Sequence, residues 1–355
     1  MNTKIITMDP KQFNPTQLNP PAKLIVKGQV VAFPTETVYG LGANAFDANA
    51  VKKIFEAKQR PADNPLIVHV SSIEMLKECV VEIPDNVKSL IEHFWPGPLT
   101  ILFQRSAKIP NEVTAGLPTV AIRMPSHPIA KALIEIAGVP IAAPSANASG
   151  RPSPTTANHV INDLSGRIPM IIDGGPSQVG VESTVIDVFR NPPMILRPGG
   201  VTLEQLREFI PNIVVYDETV SKEDLTIHPP TPGMKYRHYA PKAQTTLYEG
   251  SSELIGPKII AFIQEKLNAN AKVGLIHTRS SIIYPASMHG NRNFKYYPLG
   301  SEAHPEIIAR GLFKAFRDLD EDKVDFIIME GIEETAEGLA VMNRARKAAS
   351  TVIHL

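Results

Sequence analysis

The chain has 355 residues, and its 36 lysines and arginines balance 36 aspartates and glutamates, so the formal net charge is zero. Hydrophobic residues are 43% and charged residues 20%, which excludes a disordered or collagen-like chain; zero net charge also removes the broad attraction that nonspecific nucleic-acid binders use. The single cysteine, Cys79, excludes a disulfide framework or a multi-cysteine zinc site.

At roughly 150 residues per domain, the length suggests two domains and leaves room for three. The opening MNTKIITMDPKQFNP has no apolar signal core, and no apolar run approaches the roughly 20 residues of a membrane span. A soluble, cytoplasmic protein is therefore expected. Proline is unusually frequent, with 32 of 355 residues against about 5% in typical chains. The prolines recur at the ends of apolar runs: VVAFP, VAIRMP, VPIAAP and MILRP. A residue without a backbone donor ends a strand cheaply, so these places read as strand-to-loop exits, where sites tend to lie.

In chain order, a strand in VVAFP precedes a helix in ANAVKKIFEAKQRP. There Val51, Ile54 and Phe55 recur at helical spacing, Asp47 can cap the start, and Pro61 enforces the stop. NPLIVHV alternates as a strand. MLKECVVEI reads as a helix face with Cys79 as a buried thiol. TVAIRMP is the next strand, and HPIAKALIEIA is a helix capped by Ser126 and ended by Gly138. VPIAAP and MILRP follow as strands, and Thr202 with Gln205 forms a capping-box pair before LREFI. Such alternation predicts an α/β fold.

After residues 213–216 the pattern fails. DETVSKEDLTIHPPTPG is polar and rich in proline and glycine towards its end, the signature of a linker. Alternation resumes with a strand at TTLYEG, a helix at 257–268, strands at 273–277 and 326–329, and helices at 305–319 and 338–348. The expected division is a large domain over 1–212, a linker over 213–240 and a smaller α/β domain over 241–355. No internal repeat is evident.

Candidate chemistry begins at the helix near residue 50. Lys58 lies seven residues after Val51, four after Ile54 and three after Phe55, so it falls on the apolar stripe. It reads either as a cation snorkelling to water at a helix C-terminus or, with Arg60 and Asn64, as part of an anion clamp. Strand parity supplies a second candidate. In TVAIRMP, Val120, Ile122 and Met124 face one way, and Thr119, Ala121 and Arg123 the other. Arg123 thus sits on a small-residue face, open to a planar anion or to a core carboxylate.

In VPIAAPSANASGRPSP, Val139, Ile141, Ala143, Ser145 and Asn147 share one parity and run from apolar to polar. Ser145 and Asn147 offer directed hydrogen bonds, although an ordinary strand and polar loop would look the same. Thr35, Glu36, Thr37 and Tyr39 in VAFPTETVYGLG are candidate ligand contacts or parts of a structural turn. His69 shares a face with Ile67 and reads alone as a core histidine. Ser183 and Thr184 stand beside a strand, and Arg197 ends another. The sequence has no GxxxxGK[ST] loop, no strand-associated GxGxxG, no HExxH or close histidine pair and no GxSxG elbow. Any phosphate must therefore be held by the scattered Lys58, Arg60, Arg123 and Arg197.

The ordered segments PTETVYGLG, KQRPADNPL, WPGPLT, TVAIRMP, APSANASGRPSPT, GVESTVID, LRPG and PGMKYRHYAP resemble the L-threonylcarbamoyladenylate synthase family in its two-domain form. The KxR…SxN signature of that family's catalytic domain stands here as Lys58, Arg60, Ser145 and Asn147, which the resemblance makes catalytic. It implies a YrdC-like twisted open mixed sheet with helices, plus a smaller C-terminal Rossmann-like α/β domain. The implied enzyme is a nucleotidyltransferase making threonylcarbamoyl-AMP and pyrophosphate from L-threonine, bicarbonate and ATP. Its product serves threonylcarbamoyl modification of the adenosine beside the anticodon in tRNAs reading ANN codons.

Carried position by position, the resemblance puts Thr37, His69, Arg123, Ala143 and Ser183 around threonine. It puts Lys58, Arg60, Asn64, Thr119, Ser145, Ser153, Arg197 and Met234 around ATP, with Mg2+ arriving on ATP rather than on protein side chains. Lys235, Tyr236, Arg237, His238 and Tyr239 would form a lid, which a water-sensitive mixed anhydride makes useful. The implied partners are a downstream threonylcarbamoyl transferase machinery and a weak tRNA contact, with no membrane. Two other readings compete: an RNA-binding module with a basic concavity, and a carbamoyl-transfer domain using another acceptor.

Overall fold

A computed structural model of the chain describes residues 2–216 and 238–355. It separates into two compact units, Met1–Ser149 with Ser153–Tyr236, and Gly150–Pro152 with Arg237–Leu355.

Among the described residues, the first unit is built on eleven strands: β1 (Lys4–Thr7), β2 (Val31–Phe33), β3 (Gly40–Asn44), β4 (Ile67–His69), β5 (Leu99–Gln104), β6 (Thr119–Arg123), β7 (Ile141–Ala142), β8 (Met170–Asp173), β9 (Thr184–Asp187), β10 (Met194–Arg197) and β11 (Val214–Val215). They form one open sheet in the order β1-β8-β2-β3-β7-β4-β6-β5-β9-β10-β11. The sheet is mixed: β4 runs parallel to β6, while β7 is antiparallel to both β3 and β4. The parity of β6 is realised in the packing. Val120, Ile122 and Met124 enter the main core with Val51, Ile54 and Phe55. Ala121 instead joins a small cluster with Ile67, Leu102, Val185 and Leu196 on the other face, and Arg123 shares that face.

The helix Ala48–Lys58 forms because Asp47 accepts from the N–H groups of Asn49 and Ala50, filling two orphan donors of the first turn. Its stop comes earlier than Pro61: Gln59 takes a left-handed C-cap at φ 53°. The helix Pro128–Ala137 starts without a cap from Ser126; His127 is the N-cap residue and makes no side-chain capping bond. Pro128 at the first turn fixes the required φ, which substitutes for the cap. Gly138 closes this helix at φ 64°, a conformation that glycine adopts without steric cost. Cys79 ends the helix Ile73–Cys79 in the core, and burial pushes its thiol up to about 12. It is a packing residue.

Among its described residues the second unit has five strands, β12 (Gln244–Glu249), β13 (Val273–His277), β14 (Phe294–Pro298), β15 (Phe326–Glu330) and β16 (Thr351–His354). They lie in the order β14-β13-β15-β12-β16, and every pair is parallel. That is Rossmann-like in construction, although the first strand lies further across the sheet than in dinucleotide-binding folds. The helix expected from residue 257 begins earlier, at Ser252–Asn268, with Pro257 inside it; the proline costs one hydrogen bond near the helix start. Gly150–Pro152 belongs to this unit, where Arg317 donates to the Pro152 carbonyl at 3.1 Å and Ala240 N–H to Gly150. Among the described residues no helix is long and apolar enough to cross a membrane.

Candidate active site

The segment 35–40 is the hub. Thr37 Oγ1 accepts from Arg123 Nη1 at 2.9 Å and lies 2.8 Å from Thr35 Oγ1. The Glu36 carbonyl accepts from Gln178 and Val179, and the Thr37 carbonyl from Gly180, which fastens the loop leading to Ser183. Two residues on, the Tyr39 carbonyl accepts from Ala146 N–H at 2.8 Å, and Gly40 bridges Ser145. One short stretch therefore ties Arg123, the Ser183 loop and the 143–147 loop together.

Lys58 does not snorkel to water. It is 1% exposed, and its ammonium donates to the backbone carbonyl of Ser145, to that of Asn147 at 2.6 Å and to Asn147 Oδ1 at 3.3 Å. Ser145 Oγ in turn donates to Asn147 Oδ1 at 2.6 Å. Three of the four signature residues thus meet. The expected strand parity from Val139 to Asn147 does not hold along its length. β7 ends at Ala142 because Pro144 follows, and Ser145 and Asn147 are loop residues aimed by Lys58. Arg60 is half-buried just past the Gln59 cap. Asn64 is 1% exposed, and neither atom of its amide finds a hydrogen-bond partner. Buried amides without partners are rare in folded chains and mark a place that a polar ligand can satisfy.

His69 and Arg123 are neighbours in register across β4 and β6. His69 is more than a core histidine packed on Phe33, because it adjoins the guanidinium. Burial, and then the charge of Arg123, lower its pKa to about 3, so the ring is neutral at ordinary pH. Nδ1 lies 3.3 Å from the Ile141 carbonyl, which can only accept, so Nδ1 carries the hydrogen and Nε2 is left as an acceptor. Ala143 is buried, and its N–H already donates to Ile67, which leaves its carbonyl for a ligand. Arg123 has a protein partner: its Nη2 lies 2.8 Å from Glu36 Oε2, so the core-carboxylate reading describes it in this structure.

Arg197 donates through Nε and Nη2 to the Ser183 carbonyl at 3.2 and 2.9 Å, and through Nη2 to Ser183 Oγ at 3.1 Å. Ser183 Oγ is also 2.7 Å from Thr100 Oγ1. Ser153 donates to Glu182 at 2.5 Å. Thr100 and Glu182 escaped the sequence reading, and their signal was a polar residue at the mouth of a buried apolar run, as in PLTILF and GVESTVI. Thr119 opens β6, about 13 Å along the strand from Arg123. His238 and Tyr239 lie in the second unit, where Tyr239 packs on Phe313 and beneath the Arg344 guanidinium. Met234, Lys235, Tyr236 and Arg237 lie outside the described residues.

Lys58, Arg123 and Arg197 are 1%, 3% and 5% exposed. Such cations cannot form an RNA-binding surface. Enclosed among oriented hydroxyls and amides, they suit a small anion or a phosphorylated ligand.

Residues 23–199 match the family described as Telomere recombination, and residues 201–350 match the Threonylcarbamoyl-AMP synthase, C-terminal domain. The chain is 51% identical over 327 residues to Threonylcarbamoyl-AMP synthase of Pyrococcus abyssi, covering 92% of each. It is 49% identical over 338 residues to that of Bacillus subtilis, covering 95% of this chain and 94% of the relative. The crystal structure of P. abyssi Sua5 complexed with L-threonine matches with a TM-score of 0.91 at 48% identity, over 99% of this chain and 100% of that one. By this identity over nearly its whole length, the chain belongs to the threonylcarbamoyl-AMP synthase family.

Proposed function

We propose that this chain condenses L-threonine, bicarbonate and ATP into threonylcarbamoyl-AMP and pyrophosphate, as a nucleotidyltransferase supplying the threonylcarbamoyl group for tRNA modification. The observation that carries the reading is the single network in which segment 35–40 joins Arg123, the Lys58-bound loop and the Ser183–Arg197 pair. A carbamate oxygen must approach the α-phosphorus of ATP, and both reactants are anions. Fixed, buried positive charge that needs no reorganisation is the main requirement of that step.

In this reading Thr37, His69, Arg123, the Ala143 carbonyl and Ser183 receive threonine, with His69 Nε2 accepting from its hydroxyl. Lys58, Arg60, Asn64, Thr119, Ser145, Ser153, Arg197 and Met234 receive ATP, and the Asn64 amide gains the partners it otherwise lacks. The cluster is rich in cations and hydroxyls, a donor set that suits a magnesium ion carried by the phosphates better than one held by side chains. That ion would screen the phosphate charge. Lys235, Tyr236, Arg237, His238 and Tyr239 act as the lid, a downstream transferase takes the product, and tRNA contact is weak.

The test is pyrophosphate release with ATP, L-threonine and bicarbonate each withheld in turn, and with a chelator added. Dependence on all three substrates is expected, with loss of activity on chelation. Release that continues without threonine would favour carbamoyl transfer to another acceptor.

A further inference from the structure

Threonine is a zwitterion in neutral water, with a carboxylate and an ammonium on the same carbon. A buried site for it needs a cation and an anion within a few ångströms of one another, because either charge enclosed alone is costly. The signature residues supply cations in plenty and name no group for the ammonium. Among the described residues one carboxylate lies against the cation assigned to threonine: Glu36 Oε2 is 2.8 Å from Arg123 Nη2, with the side chains 5% and 3% exposed. The pair is close but poorly aligned. Neither oxygen of Glu36 makes a hydrogen bond, and Arg123 Nε has no acceptor either. Among the described residues, Arg123 faces Glu36 from β6, and His127 faces it from the start of the helix Pro128–Ala137. Burial lowers the pKa of His127, so that ring is neutral.

We infer that Glu36 receives the ammonium of threonine and then takes the proton that this nitrogen sheds on becoming a carbamate. The inference rests on the threonine reading of the site. Before binding, Glu36 and Arg123 neutralise each other. The zwitterion then splits the pair, its carboxylate going to Arg123 and its ammonium to Glu36, so no charge is left unpaired. In the carbamate step the nitrogen forms a bond to the bicarbonate carbon, and that carbon's bond to hydroxyl breaks. Two protons leave the ammonium: one departs with hydroxide as water, and the other protonates the Glu36 carboxylate. Glu36 ends neutral, so it does not repel the anionic carbamate.

The experiment compares equilibrium binding of L-threonine and (R)-3-hydroxybutanoate, which lacks only the amine, to the wild-type chain and to Glu36→Gln. Glutamine keeps an oxygen for Arg123 and removes the charge. Wild type should prefer threonine by about tenfold or more, the worth of one hydrogen bond to a charged group, and Glu36→Gln should lose that preference. Pyrophosphate release by Glu36→Gln at saturating threonine should fall about 100-fold, within the range for loss of a general base. If the substitution weakens both ligands equally, Glu36 only positions Arg123 and the inference fails. Unchanged turnover at saturation removes the proton-acceptor role. Should Glu36→Gln not fold, equal wild-type affinities for the two ligands would still overturn it. Binding of neither ligand to wild type would reject the threonine reading itself.

Discussion

At the scale of single residues, His69 shows how a buried site fixes a protonation state. Its pKa is lowered from 6.5 to about 3, by burial first and the Arg123 charge second. In that interval the unfolded chain binds a proton that the native ring refuses, so stability rises with pH. The contribution is complete above pH 6.5 and is lost as the pH falls towards 3. His69→Gln, which cannot take up the proton on unfolding, should have a melting temperature that declines less than wild type over this window. Thermal unfolding of both proteins across the window checks it; parallel curves would mean that the ring is protonated in the native state. The same neutrality keeps Nε2 an acceptor, which is the state a substrate hydroxyl requires.

At the scale of elements, the loop after β10 is pressed onto the start of β9. A Cβ built on Gly199 would lie 2.2 Å from the Glu182 carbonyl oxygen and 2.4 Å from the backbone nitrogen of Thr184. These are backbone atoms that cannot swing aside, and Ser183 with its Arg197 partner lies between them. Gly199→Ala should therefore cost about 1–3 kcal/mol, the usual penalty for overpacking, and should raise the KM for ATP. Gly290→Ala meets nothing within 4 Å and should stay within about 0.5 kcal/mol of wild type. Denaturant midpoints and ATP kinetics on both variants make the comparison. Elements were legible where the pattern was local. The spacing of Val51, Ile54 and Phe55 gave the helix, and alternation in TVAIRMP gave the two faces of β6. The destination of Lys58 was not legible, since its carbonyl partners lie 87 and 89 residues away. Parity also overreached past Pro144, where the strand had ended. The edge strands β1, β14 and β16 escaped because an edge exposes most of its residues, which blunts the apolar alternation that reveals a strand.

At the scale of the whole chain, two compact units, each with buried apolar clusters of its own, predict two units of local stability. The first unit holds the candidate site, and the second is pinned by a different device at the carboxyl ends of its central strands. Glu330 is fully buried at the end of β15. It accepts from the N–H groups of Thr278 and Arg279 at 2.7 and 2.9 Å and from Tyr284 Oη at 2.5 Å, and it lies 3.0 Å from His277 Nδ1. Burial and the nearby carboxylate together push the Tyr284 phenol above its usual range, so it remains a donor. A carboxylate among so many donors is an acceptor that an amide cannot replace, because glutamine would aim N–H groups at other donors. Glu330→Gln should cost the second unit about 3 kcal/mol, of the order of one or two charge-assisted hydrogen bonds. Native-state hydrogen exchange reads this directly. Amides of β13 and β15 should exchange about 100-fold faster in the variant, while those of β4 and β6 keep their protection. If all four strands lost protection together, the two units would open as one, and the division of stability would be wrong.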